Sequence, residues 1–512
     1  MDALPPLPGA PLRLFDSMAR AERPFAPIDA DMVRLYSCGP TVYDHAHLGN
    51  LRAYVFTDTL RRTLNWKGWA ATHVINITDV GHLTSDADEG ADKMEAAAGR
   101  RGQDIWQVAA FYTDAFKADL AALNVRPPTL WSVATAHVQD MIAFARRIEA
   151  AGAAYELEGG LYFDTARVPD YGLLARAAVE GPEIARIEAV AGKRNPADFA
   201  LWRRSPPGER RQMEWQSPWG PGAPGWHLEC SVMSMKYLGP QFDIHTGGID
   251  HREIHHCNEI AQNQAYTGTA RTGANFWMHN NFLVDHTGKM SKSGGGFATL
   301  AALVDRGVAP LAYRLMCLSA HYRSELLFST KAVGDALVRL KRLMIAVERL
   351  RGGTPPDWLR AAREAGDSRG ASLAFQRETI EAPLGDAARA ILAEFDAAIS
   401  EDLATPRALP LLESTLAAKR IPAEERLRVL ASIDLVLGLD LVGGSRRALS
   451  VPPAAAVADE AQVLALVAER EAARAARDFA GSDALRARLD AMGVEVMDGD
   501  PLGWEWRPTL DD

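Results

Sequence analysis

The sequence predicts an α/β protein: a Rossmann-type domain split by an inserted subdomain, then a helical bundle, then a small C-terminal α+β module. Three observations predict it. A strand–helix–strand pattern stands near the start of the chain. The α/β texture breaks off and later resumes. Beyond residue 311 the chain is almost entirely helical and rich in Ala, Leu and Arg. A strand, a crossover helix and a second strand make a βαβ unit, which implies a parallel sheet.

Residues 34–38 read as a short strand ending at Gly39-Pro40. In 48–66 the apolar positions Leu51, Val55, Leu60 and Leu64 recur at helical spacing, and Gly68 ends the run. Residues 71–77 read as a second strand, and a long helix is expected over 103–123. From Arg126-Pro127-Pro128 the texture changes: a helix is expected over 133–151 and a hairpin over 155–164, turning at Gly159-Gly160. The α/β pattern resumes at Trp226, with a strand ending at Asp243-Ile244-His245 and a helix over 254–266. Polar breaks fall at 352–372 and 443–453. The expected division is 1–126 and 225–310 for the two catalytic halves, 127–224 for the insertion, 311–445 for the bundle and 455–512 for the terminal module.

Bulk properties narrow the function. A chain of 512 residues suits three or four units of roughly 100 to 200 residues each. The net charge of -10 argues against a uniformly basic nucleic-acid binder, although a local basic face is enough to dock RNA. Four cysteines do not make a disulfide framework. Residues 1–11 lack a basic segment followed by an apolar core, and no run of about 18 apolar residues appears. The expectation is a soluble, reduced, cytoplasmic protein with no membrane span.

Two segments suit phosphate. His47-Leu48-Gly49-Asn50 stands at a strand-to-helix junction, where free N–H groups and the helix dipole attract anions. There His47 can donate to a phosphate oxygen, and Gly49 allows close backbone approach. Lys289-Met290-Ser291-Lys292-Ser293, followed by three glycines, offers two ammonium groups to neutralise charge developing on pyrophosphate. Each alone is a weak signal; a solvated loop is the plainer reading of the second.

A third group offers soft ligands. On a helix, His255 and Glu259 lie four apart and share a face. With Cys38 and Cys230, each expected at a strand end of the split domain, they supply two thiolates, an imidazole and a carboxylate, a set that suits Zn(II). The spacing is not that of a zinc finger and does not by itself join the four. His256 is a competing imidazole; Cys257 points away from the face shared by 255 and 259.

Taken in order across a split α/β domain, the two phosphate segments resemble the HIGH and KMSKS signatures of class I aminoacyl-tRNA synthetases, with Asn50 in place of the final His. The stretches Cys38–Asp44 (CGPTVYD), Asn76–Asp79 (NITD), Trp226–Ser231 (WHLECS), Asp243–Asp250 (DIHTGGID) and Lys193–Phe199 (KRNPADF) resemble the cysteinyl-tRNA synthetase family, over almost the whole chain. The resemblance implies a cysteine--tRNA ligase with one Zn2+ on Cys38, Cys230, His255 and Glu259. It implies catalytic roles for His47, Asn50, Lys289 and Lys292. ATP, accompanied by Mg2+, would meet His47, Gly49, Gly247, Gly248, Asp250 and Lys292; Gly39, Thr78 and Trp226 would line the cysteine pocket. L-cysteine, ATP and tRNA(Cys) are the implied partners; from its size the chain is expected to act as a monomer. The chain departs from many relatives at His251-Arg252-Glu253-Ile254, where an apolar run ending in Phe-Pro is frequent, and at Cys257, where Glu is frequent.

Zinc explains how cysteine would be told from serine: a cavity separates near-isosteres weakly, whereas the metal favours thiolate. No separate editing domain is then needed. Two other readings share part of this pattern. One is a ligase that delivers activated cysteine to an amino sugar, as in mycothiol synthesis, but it does not need about 200 residues beyond the KMSKS segment. The other is a non-catalytic RNA-binding relative, which has no use for an intact His47, Lys289 and Lys292. Trp504 and Trp506 can either stack on unpaired bases or close a small core. The cluster Arg339, Lys341, Arg342, Arg349 and Arg351 reads as a solvated helix face or a tRNA contact.

Overall fold

The computed structural model describes residues 9–81, 93–101, 103–175, 192–206, 208, 211–285, 288–289, 299–368, 373–456 and 459–510. In chain order, the elements that build the site are β1 (Met32–Ser37), α1 (Leu48–Trp66), β2 (Ala70–Ile77), β3 (Leu130–Val133), α2 (Trp226–Leu238), β4 (Phe242–Gly248), α3 (His255–Thr267) and β5 (Ala274–Asn280). The five strands form one fully parallel sheet in the order β5-β4-β1-β2-β3. Helices cover both faces, so residues of either parity are buried: Val33 and Leu35, Val74, Ile75 and Ile77, Ile244, Phe276 and Met278. The chain winds outward from β1 to β3, then returns to the other side of β1 for β4 and β5. The order therefore reverses between β1 and β4, the place where such sheets bind ligands beyond their carboxyl ends.

Four expectations need correction. The segment from Pro127 does not leave the sheet at once: Leu130–Val133 pairs with Val74–Ile77 as the outer strand, and the helix expected from 133 is Val138–Ala150. Four residues are too few to display a strand period. Asp243-Ile244-His245 lies in the first part of β4, which runs on through Thr246-Gly247-Gly248. Cys230 stands in α2, not at a strand end. The polar break at 352–372 holds a helix, Asp357–Ser368, whose buried Leu359 and Ala362 sit among charged, solvent-facing positions.

The insertion carries a four-stranded antiparallel sheet that includes the expected hairpin, Ala154–Leu157 with Gly160–Phe163. The bundle begins with Thr330–Arg351 and includes Asp386–Ser400 and Ala423–Leu437. The terminal module is two helices, Glu460–Ala475 and Phe479–Ala491, and the hairpin Val494–Val496 with Trp504–Trp506. Trp504 and Trp506 are 2% and 4% exposed and meet edge to face at 5.5 Å. They close the module's core and offer no stacking surface. Much of the basic cluster is also engaged: Arg339 pairs with Glu413, Lys341 with Glu505, and Arg351 donates to the carbonyl of Val442. Among the described residues no helix is long and apolar enough to cross a membrane.

Helix α1 is unusual in burying charge. Asp58 accepts from Arg62 (2.7 Å) and from Arg314 of the helix Pro310–Leu318 (2.6 Å), and its other oxygen accepts from the Arg126 backbone N–H (3.0 Å). Burial raises the Asp58 pKa, but Arg62 and Arg314 outweigh it and hold the carboxyl well below the usual range.

Candidate active site and metal centre

A cavity of ≈ 250 Å³ opens at the carboxyl ends of β1 and β4. Cys38, Gly39, His47, Gly49 and Asn50 line it, as do Trp226, Gly247, Gly248, Asp250 and His251. Most of the residues expected to handle ATP and cysteine thus meet in one crevice. Thr78 does not line it: its hydroxyl accepts from Asn76 Nδ2 (3.0 Å) and donates to the buried Glu229 (2.8 Å) behind the wall. Lys289 lies on the strand Gly288–Lys289, paired with Leu283–Asp285. Lys292 lies outside the described residues.

His47 caps α1. Its Nδ1 accepts from the Asn50 N–H (3.1 Å), and Asn50 Oδ1 accepts from the His47 N–H (3.3 Å), a reciprocal capping box. With Nδ1 acting as acceptor, a neutral imidazole carries its proton on Nε2, which makes that nitrogen a donor. The Asn50 backbone N–H therefore sets the histidine's tautomer, and the uncharged Asn50 side chain closes the box on the His47 N–H. A Cβ at position 49 would lie 3.0 Å from that Nδ1, so glycine leaves room for the ring.

Gly39 is required more strictly. A Cβ there would lie 1.5 Å from the carbonyl oxygen of Asn76, while the Gly39 N–H donates to Asn76 Oδ1 (2.7 Å). Gly39→Ala should push β1 and β2 apart at the cavity and cost at least the roughly 1–3 kcal/mol typical of overpacking. Urea unfolding of the variant measures this, and an unchanged midpoint would refute it.

Below the cavity lie Cys38, Cys230, His255 and Glu259, all buried, with ligand atoms within 4.8 Å of one another. The two sulfurs are 4.0 Å apart, Cys38 Sγ is 4.0 Å from Glu259 Oε1, and that oxygen is 3.1 Å from His255 Nε2. Such separations suit the edges of a tetrahedron around a zinc-sized ion, about 3.3–3.8 Å for ligands at 2.0–2.3 Å. A second set, Cys38, His245, His256 and Glu259, shares two of the donors. Burial holds the Cys38 thiol well above its ordinary value. The hydrogen bond from Cys38 draws the Cys230 thiol down to about 7 despite burial. Burial raises Glu259, but His245 and His255 bring it down to about 2. Burial lowers His255, yet Cys230 and Glu259 drive it up to about 10. Two anionic donors thus converge in a dry pocket, where a protonated His255 supplies the compensating charge that a bound metal ion would otherwise bring.

An outer ring of histidines supports these donors. His245 Nε2 lies 3.0 Å from Glu259 Oε2, His227 Nδ1 lies 2.9 Å from His255 Nδ1, and His256 Nδ1 lies 2.8 Å from His279 Nε2. Such partners orient metal ligands. Sequence reasoning gave no role to His227, His245 or His279, nor to Asn76 and Glu229. The signal available was position: His227, His245 and Asn76 each sit inside or beside a quoted motif.

A parallel sheet with a crevice at its switch point and a thiol-rich centre beside it has the layout of a class I synthetase catalytic domain. Comparisons agree. The profile for "tRNA synthetases class I (C) catalytic domain" matches residues 24–338. The chain is 63% identical to the cysteine--tRNA ligase of Zymomonas mobilis, covering 98% of this chain and 99% of that one. It is 56% identical to that of Novosphingobium aromaticivorans, covering 98% of each. Among solved structures, the Agrobacterium radiobacter K84 agnB2 LeuRS-tRNA-LeuAMS complex superposes with a TM-score of 0.53 at 12% identity, covering 84% of this chain and 87% of that one. The chain belongs to the cysteine--tRNA ligase family of class I aminoacyl-tRNA synthetases.

Proposed function

We propose that this chain joins L-cysteine to ATP, giving cysteinyl-adenylate and pyrophosphate, and then passes the cysteinyl group to the 3′ end of tRNA(Cys). The observation that carries this reading is the shared wall: Cys38 belongs both to the nucleotide-type cavity and to the buried donor set. A zinc ion on Cys38, Cys230, His255 and Glu259 would supply a site that accepts the substrate thiolate and refuses a serine hydroxyl. Buried Cys, His and carboxylate donors within reach of one another support that choice.

The protein's own residues do the positioning. His47 donates through Nε2 to an ATP phosphate oxygen, and the N–H groups at the start of α1 add to it. Lys289 and Lys292 neutralise the departing pyrophosphate, with Mg2+ accompanying the triphosphate. Gly247, Gly248 and Asp250 take the ribose and adenine. Gly39 and Trp226 border the cysteine, with Thr78 bracing the wall behind them. Catalysis here is placement and charge stabilisation rather than covalent chemistry. In this reading 127–224 is a connective insertion, 311–445 grips the tRNA stem and 455–512 reads the anticodon. The enzyme acts as a monomer in the cytoplasm.

The test offers purified protein ATP and labelled cysteine, with a tRNA(Cys) transcript or an amino sugar as acceptor. Cysteine-dependent exchange of pyrophosphate into ATP and label on the tRNA are expected. Exchange with transfer only to the amino sugar would favour the mycothiol-type ligase; no exchange would favour a non-catalytic relative.

A further inference from the structure

Helix α1 carries a cation where a helix tolerates one least. Arg52 is its fifth residue, near the positive end of the dipole, and is 2% exposed. Among the described residues no carboxylate is in ion-pair contact with it, and the charge of Glu325 acts on it only from farther off. Its guanidinium is met by main-chain carbonyls: Nη1 donates to Asn281 (3.0 Å) and Phe282, Nη2 to Ser324 (2.5 Å) and His321 (3.3 Å). Burying a guanidinium with no carboxylate in contact costs stability, and an apolar side chain of similar volume would fill the space more cheaply. The reason for the cation lies in what it grips.

Asn281 and Phe282 lead directly into Leu283–Asp285. That strand pairs on one side with Gly288–Lys289, Val284 opposite Lys289, and on the other with Leu326–Leu327. Ser324 and His321 precede the latter strand. The fork of Arg52 thus ties together the roots of two neighbouring strands and fixes both to α1. On the far side of the lysine segment, Thr299 forms a backbone bridge with His47, and Tyr313 Oη donates to the Leu48 carbonyl (2.6 Å). Both roots of the lysine segment therefore rest on the helix start that holds His47.

We propose that Arg52 is a positioning residue for adenylate formation, holding the Lys289 hairpin in register with His47. This rests on the function proposed above. The effect belongs to the first step, because pyrophosphate has left before the acyl group moves. Arg52→Met keeps the volume and removes the fork; Arg52→Lys keeps the charge with fewer donors. Adenylate formation should fall about 100-fold in Arg52→Met, the size of a displacement of roughly 1 Å, and less in Arg52→Lys. The KM for cysteine, the metal content and the single-turnover transfer from preformed cysteinyl-adenylate to tRNA should stay within about two-fold of the parent. All rates are taken per active site, titrated by adenylate formed. Equal losses in both steps, or a loss in neither, would overturn the proposal. If Arg52→Met does not fold, the ratio of the two steps in Arg52→Lys decides in the same way. An inactive parent enzyme would instead count against the function, not against Arg52.

Discussion

Cys38→Ser should empty the metal centre and abolish cysteine activation. Cys38 is the only thiol common to both possible donor sets, and it also forms the cavity wall. Elemental analysis should fall from about one zinc per chain to nearly none, and cysteine-dependent ATP–pyrophosphate exchange should fall by far more than the roughly 10- to 100-fold caused by losing an outer-shell partner. Cys230→Ser should fall less in metal content, because Cys38, His245, His256 and Glu259 can still converge on an ion. Retained zinc in Cys38→Ser would remove this residue from the site. The loss should be chemical rather than structural, since serine is nearly isosteric and the sheet around β1 is held by apolar contacts.

The second large effect concerns stability. Asp58→Ala should lower the free energy of unfolding by about 3–5 kcal/mol, the usual result of stripping one partner from a buried ion pair. Both Arg62 and Arg314 lose their carboxylate. Arg314 is fully buried and also donates to the carbonyls of Leu437 and Leu123, so the damage sits where α1, the helix Pro310–Leu318 and the bundle meet. Denaturant unfolding measures it, and a change below about 1 kcal/mol would show that the arginines find other partners. The sign of the pH dependence follows from the depressed carboxyl. Because Asp58 holds its proton less tightly in the folded state, its contribution is complete above the ordinary aspartate range and is withdrawn as the pH falls below it.

Some of this architecture was readable from residues alone. Helix α1 was legible to its last residue, because Leu51, Val55, Leu60 and Leu64 keep a helical period and Gly68 stops it. The strand Leu130–Val133 was not, because a partly exposed edge strand of four residues carries no period of its own. The helix Asp357–Ser368 was hidden by its charged surface, since one apolar stripe is enough to seat it against the bundle. At the candidate site, neither the two segments expected to meet phosphate nor the four candidate metal donors were joined by composition or spacing; the family resemblance joined them. Cys230 and Glu259 are brought to Cys38 only by the folding of α2 and α3 against the sheet, and no local spacing encodes that. The outer histidines were invisible for the same reason: a hydrogen bond such as that between His256 and His279 is a property of packing. Asn50, a departure from the expected signature, is explained only by the capping geometry.

The separation of the donors in the chain sets an order on assembly. Cys38 stands 192 residues before Cys230, with the whole insertion between them, and Glu259 follows later still. A chain emerging from the ribosome exposes its first thiol long before any partner exists, so the donor set cannot close until the second half of the sheet has docked beside β1. Completion of the centre thus reports that the split domain has been joined correctly, and a chain stalled before α3 lacks a donor that later packing must supply.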